Sequence, residues 1–134
     1  MKNDEQLPSE QEWRIMEILW EKGHEMTSRE LIAELMDDGH PEMTDKMTRV
    51  LLNRLCAKGL LKYRVDEKDS RVYHYTPLKS RMECRTEKAG SFVQSFFGGD
   101  RLAAAAALLS GEDALSEADI RRLEELLHRA EEKR

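Results

Sequence analysis

Thr44–Tyr75, TDKMTRVLLNRLCAKGLLKYRVDEKDSRVYHY, decides the fold. Thr44 is an N-cap residue type, and Met47, Leu51 and Leu55, with Val50 or Leu52, then recur at the i, i+3 and i+4 spacing of one helical face. Gly59 stops that helix. Leu61, Tyr63 and Val65 next alternate with Lys62 and Arg64; after a polar turn, Asp66 to Ser70, Val72 and His74 alternate with Tyr73 and Tyr75. This pattern predicts a β-hairpin, with His74 packed beside the tyrosines. A helix running into a hairpin, after two shorter helices, is the plan of a winged helix-turn-helix, so DNA binding leads the functional readings.

The two preceding helices carry their own start signals. Ser9-Glu10-Gln11-Glu12 fits a capping box, in which the serine oxygen and the glutamate three residues on satisfy backbone donors reciprocally. Trp13, Met16, Ile18, Leu19 and Trp20 then supply an apolar face that ends near Gly23. Thr27-Ser28-Arg29-Glu30 is a second capping box, opening a helix with Leu31, Ile32, Leu35 and Met36 on one side, and Gly39-His40-Pro41 closes it.

A net charge of −5 looks wrong for a DNA-binding chain until it is divided along the sequence. From Met1 to Glu42 there are four basic residues against twelve acidic, a balance of −8; from Met43 to Thr76 there are eight against four, a balance of +4. The positive charge therefore sits in the helix and hairpin that would meet phosphate. Local field governs such contact, so the acidic total weakens nonspecific binding without excluding a specific site.

On the third helix the face opposite the apolar stripe is expected to display Lys46, Thr48, Arg49 and Asn53. Long donors at the N-terminal end of a recognition helix reach base edges; arginine can engage guanine with two hydrogen bonds, and threonine can touch a thymine methyl. Lys46 and Arg49 are the leading base contacts. Arg54 and Lys58 fall further along, placed either to hold phosphate or to pair with the acidic first helix. Lys68 and Arg71 near the tip of the hairpin would lie along the backbone or minor groove, although Asp66, Glu67 and Asp69 dilute their charge.

Residues 1–78 are thus expected to form a winged-helix domain, and 79–134 a second, helical one. Lys79 to Phe97 is apolar toward its end, Gly98-Gly99 interrupts it, Asp100 to Leu109 is nearly all alanine and leucine, and Ser116 to Glu132 forms a last amphipathic stretch after Ser110-Gly111. Helices this short cannot cover Phe92, Phe96, Phe97, Leu102, Leu108, Leu109, Ile120, Leu123 and Leu127 on one another. The economical solution is a homodimer. Folding back over the winged helix is the competing arrangement. The fold class expected is mainly α with a small β-hairpin.

Other classes find little support. Cys56 and Cys84 lie outside CxxC or CxC spacing, and His24, His40, His74 and His128 are scattered, so no metal site, cofactor or disulfide framework is indicated. Neither a phosphate loop, an HExxH motif nor a nucleophile elbow is present, and no catalytic residue is assigned. No apolar run approaches the roughly 18 residues of a membrane span, and the acidic start does not read as a signal peptide; a cytoplasmic protein is expected.

Taken together, Leu7 to Trp20 (LPSEQEWRIMEILW), Lys46 to Leu61 (KMTRVLLNRLCAKGLL), the hairpin ending in Tyr73-His74-Tyr75, and Ser91 to Gly99 (SFVQSFFGG) resemble the penicillinase repressor family, the BlaI/MecI/CopY group of bacterial transcriptional repressors. The resemblance implies an N-terminal winged helix, a C-terminal helical dimerisation domain and repression through palindromic operators. It places Thr44 at the start of the recognition helix, with Lys46, Met47, Arg49, Val50 and Arg54 where family members touch DNA. Three departures matter. Positions that hold threonine in the family carry Met47 and Val50, with Thr48 at the intervening apolar site, which implies a different operator. The Asn-Phe bond cut by the family's sensor protease corresponds to Ala106-Ala107, leaving only a regulatory protease of other specificity as that kind of partner. The paired CxC motifs of the copper-responsive branch are missing, since no cysteine follows Cys84.

Two binding readings follow from the residues. One is a dimeric, operator-specific repressor of double-stranded DNA. The other is a winged-helix protein-interaction module in which the acidic helices and apolar C-terminal segment meet another protein.

Overall fold

A computed structural model describes residues 6–111, 113 and 115–133, so the acidic Asp4 and Glu5 lie outside it. Its elements run α1 (Glu10–Lys22), β1 (Met26–Thr27), α2 (Ser28–Asp37), α3 (Asp45–Ala57), β2 (Leu61–Val65), β3 (Tyr73–Pro77), α4 (Arg81–Phe97), α5 (Arg101–Leu109) and α6 (Glu117–Glu132). They form two compact units, Met1–Phe92 and Val93–Arg134.

The first unit is a winged helix-turn-helix, and each of its first three helices starts where the local chemistry places it. Ser9 accepts from the Glu12 amide (3.2 Å) while Glu12 accepts from the Ser9 amide (2.8 Å), and Thr27 and Glu30 repeat the arrangement at α2. Thr44 caps α3 by accepting from the Met47 amide at 3.1 Å. At the other end of α3, Gly59 takes a φ of 75°, which lets the Leu60 amide reach back to the Leu55 carbonyl (3.0 Å) and turns the chain straight into β2.

One core joins the three helices to the base of the sheet. Ile15, Met16 and Leu19 of α1, Leu31 and Leu35 of α2, and Leu51, Leu52 and Leu55 of α3 are buried together with Met26, Met43, Leu60, Leu61 and Tyr75. The α2 stripe is narrower than expected. Leu31 and Leu35 are buried, but Met36 is 64% exposed, because 100° per residue carries it past the edge of the buried arc.

The sheet has three antiparallel strands in the order β1-β3-β2, one more than the hairpin alone. Met26 pairs with Tyr75 and Thr27 with His74, while on the other side Leu61, Tyr63 and Val65 pair with Pro77, Tyr75 and Tyr73. Two residues are too short for a sequence pattern to register; they form a strand only because β3 offers them its edge. The chain before α1 is also tied down: Lys58 Nζ donates to the Leu7 carbonyl (3.1 Å) and Lys88 Nζ to that of Pro8 (3.2 Å). Arg81 of α4 donates to Glu17 (2.8 Å) and Glu21 (3.0 Å) of α1, and Cys84 is buried in the core.

In the second unit, Asp100 caps α5 and a capping box of Ser116 and Asp119 opens α6. Ala104 is its one fully buried apolar residue among those described. Phe96, Leu102, Leu108, Leu126 and Leu127 are exposed by 58–80%, and Phe92, in the first unit, by 44%. Leu109 and Ile120 are exposed by 45% each; Phe97 and Leu123 are half-buried.

Candidate nucleic-acid interface

Helix periodicity divides α3 into two faces. Thr48, Leu51, Leu52 and Leu55 point into the core, and Met47 is half-buried against it. Lys46, Arg49, Val50, Asn53 and Arg54 are exposed, as is the cap residue Thr44. The expectation that Thr48 stands on the outward face is therefore corrected. It is completely buried, and its hydroxyl has no hydrogen-bond partner among the described residues, so it cannot touch a thymine methyl. The family resemblance had put this position at an apolar site, and the packing agrees with that. Val50, 41% exposed, is the apolar group left on the outer face.

The cations of the basic segment fall into two sets. Lys58 is committed to α1, donating to Glu12 Oε1 at 2.5 Å; Glu12 is only 1% exposed, so this is an interior pair that removes Lys58 from any phosphate. Arg64 is committed to Glu25: its Nε donates to both carboxylate oxygens (3.0 and 2.9 Å) and its Nη2 to Oε1. The bond from Arg64 holds the Glu25 carboxyl below its usual range and in return raises the guanidinium. Arg71 is exposed and donates to Asp69 at 3.1 Å, a contact that water and salt weaken easily. Lys46, Arg49, Arg54, Lys62 and Lys68 have no ion pair or side-chain hydrogen bond among the described residues. Three of these five stand on the outer face of α3.

The wing is built by its turn. Asp66 accepts from the amides of Lys68 (3.0 Å) and Asp69 (3.1 Å), and Asp69 accepts from that of Arg71 (3.0 Å), so the acidic residues that dilute the charge also fold the loop. His74 is not packed among the tyrosines as expected. It lies on the opposite face of β3, with Nε2 2.8 Å from Asp66 Oδ1 and Nδ1 3.9 Å from Glu25. The hydrogen bond to His74 is the main cause of the depressed Asp66 carboxyl, followed by the Lys68 amide. The tyrosines occupy the other face: Tyr63 and Tyr73 stack with centroids 4.5 Å apart and planes 11° apart, with Tyr75 tilted against both.

Among the described residues no group of three or more His, Cys, Asp or Glu has the arrangement of a metal site, and no helix is long and apolar enough to cross a membrane. Burial raises the Cys56 thiol, which disfavours the reactive thiolate.

Three solved structures are similar to this chain in part. The solution structure of the DNA-binding domain of the repressor BlaI is 30% identical over 60% of this chain and 90% of that one, with a TM-score of 0.48. FabT of Streptococcus pneumoniae, in complex with DNA, is 22% identical over 92% of this chain and 73% of its own, with a TM-score of 0.46. The adhesin competence repressor AdcR of Streptococcus pyogenes is 15% identical over 98% and 83%, with a TM-score of 0.44. A search of the curated proteins gave no match. The sequence profile of the penicillinase repressor matches residues 8–129, from the cap of α1 into α6. Its reach across both units shows that this chain belongs to the penicillinase repressor family.

Proposed function

We propose that the chain is a transcriptional repressor, not an enzyme, that binds a palindromic operator as a homodimer in the cytoplasm. Helix α3 enters the major groove, with Lys46 and Arg49 at base edges, Val50 against a thymine methyl, and Asn53, Arg54 and Thr44 at the flanking backbone. Lys68 and Arg71 reach the neighbouring backbone from the wing. The observation that carries this reading is the division of the cations: those pointing inward or toward Glu25 are already paired, whereas Lys46, Arg49 and Arg54 are exposed together and unpaired among the described residues.

The exposed apolar residues of the second unit support self-association. Phe96, Leu102, Leu108 and Leu127 are 66–80% exposed and Leu109 and Ile120 nearly half exposed, with Phe92, the last residue of the first unit, at 44%. A single soluble chain rarely leaves so much apolar surface in water. The half-buried Phe97 and Leu123 contribute less to such a surface. Two-fold pairing also supplies two recognition helices for two half-sites, which multiplies a modest single-site affinity.

Selection of bound duplexes from a random pool, followed by binding to the selected site over a salt series, tests the proposal. The recovered site is expected to be two-fold symmetric, with affinity falling steeply as salt rises. Lys46→Ala with Arg49→Ala is expected to weaken binding about 100-fold, since each good base contact contributes about 1–3 kcal/mol. Unchanged affinity in that double variant, or an asymmetric site bound by a single chain, would overturn the assignment.

A further inference from the structure

We infer, on top of the repressor reading, that the exposed tyrosines of the wing, Tyr63 and Tyr73, make a second and uncharged contact with the duplex, packing on the sugar edges of the backbone beside the groove that α3 enters. Lys68 and Arg71 belong to the turn at the tip of the wing, whereas these rings stand on its two strands.

The two faces of the hairpin differ in what they have left to offer. On one, Arg64 is held by Glu25 and His74 by Asp66, and Lys62 is the cation left exposed among the described residues. On the other, Leu61, Tyr63 and Val65 of β2 face Pro77, Tyr75 and Tyr73 of β3. Leu61 and Tyr75 at the base are buried in the core. Further out, Tyr63 is 51% exposed, Val65 46% and Tyr73 37%. The face is thus apolar, open, and rigid at its centre, where Tyr63 and Tyr73 stack.

Its position points to the duplex. The base of the tyrosine face adjoins α3: Leu61 and Tyr75 share one core with Leu51, Leu52 and Leu55, and Cys56, two helical turns after Arg49 and on the same side of the helix, packs against it. Arg49 belongs to the outer face of α3, so the proposed reading surface and the tyrosine face are neighbours through Tyr75. Lys68, exposed in the turn at the tip of the same hairpin and without an ion pair among the described residues, brings it toward phosphate. Tyrosine suits a sugar–phosphate edge. Its ring covers deoxyribose C–H groups, its hydroxyl can donate to a phosphate oxygen, and a ring already held in a stack loses little freedom on binding.

Such a contact has a signature that distinguishes it from the cations. Removing a phosphate-neutralising side chain lowers the slope of log affinity against log salt by about 1, whereas removing an uncharged one lowers affinity at every salt concentration alike. With the full-length chain and its selected duplex, Tyr63→Ala with Tyr73→Ala is expected to weaken binding about tenfold with an unchanged slope. Arg54→Ala, at the flanking backbone, is expected to reduce both affinity and slope. Tyr63→Phe with Tyr73→Phe, which keeps the stack, should retain most of the affinity.

Hydroxyl acetylation of the parental chain, read by mass spectrometry, provides a readout that needs no variant to fold. Tyr63 and Tyr73 should react in the absence of DNA and be protected by the duplex. If the alanine pair binds like the parent and the hydroxyls stay reactive on DNA while Lys46→Ala with Arg49→Ala abolishes binding, the wing inference fails and the repressor reading stands. If neither set affects binding, the repressor reading fails as well. A change in self-association by sedimentation, with duplex affinity unaltered, would assign the face to a second copy of the chain and overturn the inference.

Discussion

The two compact units use the same residue type in opposite ways. Between Met1 and Phe92, leucine is the material of the core: Leu19, Leu31, Leu35, Leu51, Leu52 and Leu55 are 0–3% exposed. Between Val93 and Arg134, Leu102, Leu108, Leu126 and Leu127 are 58–80% exposed. Helix propensity alone does not separate them. The first unit has a sheet and three crossing helices on which leucine can be buried, whereas the second leaves most of its large apolar residues in water. The first unit therefore buries its leucines within the single chain, whereas the second holds most of its own at its surface.

Ion pairs sharpen the contrast most. Lys58→Ala leaves Glu12 charged, buried and without its partner, with Oε2 already lacking a hydrogen bond among the described residues. Such a break is expected to lower the stability of the first unit by about 3–5 kcal/mol in chemical denaturation. His128→Ala removes the exposed pair with Glu132 in α6 and should leave the denaturation curve where it was. Comparable losses in both variants would mean that Glu12 is less buried than the packing requires.

Leucine truncation is the next test. Leu55→Ala is expected to cost about 3 kcal/mol, through lost burial and the cavity left behind. Leu127→Ala should change the stability of a dilute sample by no more than about 0.5 kcal/mol. Its effect should appear instead as weaker self-association by sedimentation. A large loss of single-chain stability from Leu127→Ala would erase the distinction between the units.

Smaller again is the effect of Thr48→Val. Replacing a buried hydroxyl that has no partner with a methyl of the same shape is expected to stabilise the first unit by about 1 kcal/mol while leaving duplex affinity alone. Reduced affinity at unchanged stability would instead return Thr48 to the outer face.

The helices were legible in the sequence because their signals are local. Capping boxes at Ser9 and Thr27, the Thr44 cap and the stops at Gly23 and Gly59 involve residues no more than five apart. What stayed hidden depends on partners far along the chain. Strand β1 exists through Met26 and Tyr75, 49 positions apart, and Arg64 is neutralised by Glu25 across 39. Thr48 departs from its sequence pattern for another reason. The stripe of positions 47, 51 and 55 and that of 48, 51, 52 and 55 share most of their members, so one polar residue type tipped the choice. Packing decides what residue chemistry alone leaves open, and here it places a threonine inside and a methionine at the margin.

The weakest expected effect is on the wing. The Asp66 carboxyl is depressed, chiefly by His74 and then by the Lys68 amide, so its contribution is complete above the ordinary aspartate value and is lost as pH falls through the depressed one. From about pH 4 downward, protonation is expected to release the turn of residues 66–72. Amide exchange there should rise before exchange in α1 to α3 does. Simultaneous loss of protection in both would show that the wing and the helical core open as one.

The edge contact between Trp13 and Trp20, with centroids 5.4 Å apart, carries a spectroscopic consequence. These are the chain's two tryptophans, and both belong to the first unit. Trp13 donates to Glu17 one helical turn away, whereas Trp20 donates to the Lys79 carbonyl, 59 positions along the chain. Intrinsic emission excited at the red edge of the band therefore comes from the first unit alone and responds to the contact of Trp20 with the segment that leads into α4. A fluorescence melt that falls ahead of the helical circular dichroism signal would separate the two units without any label.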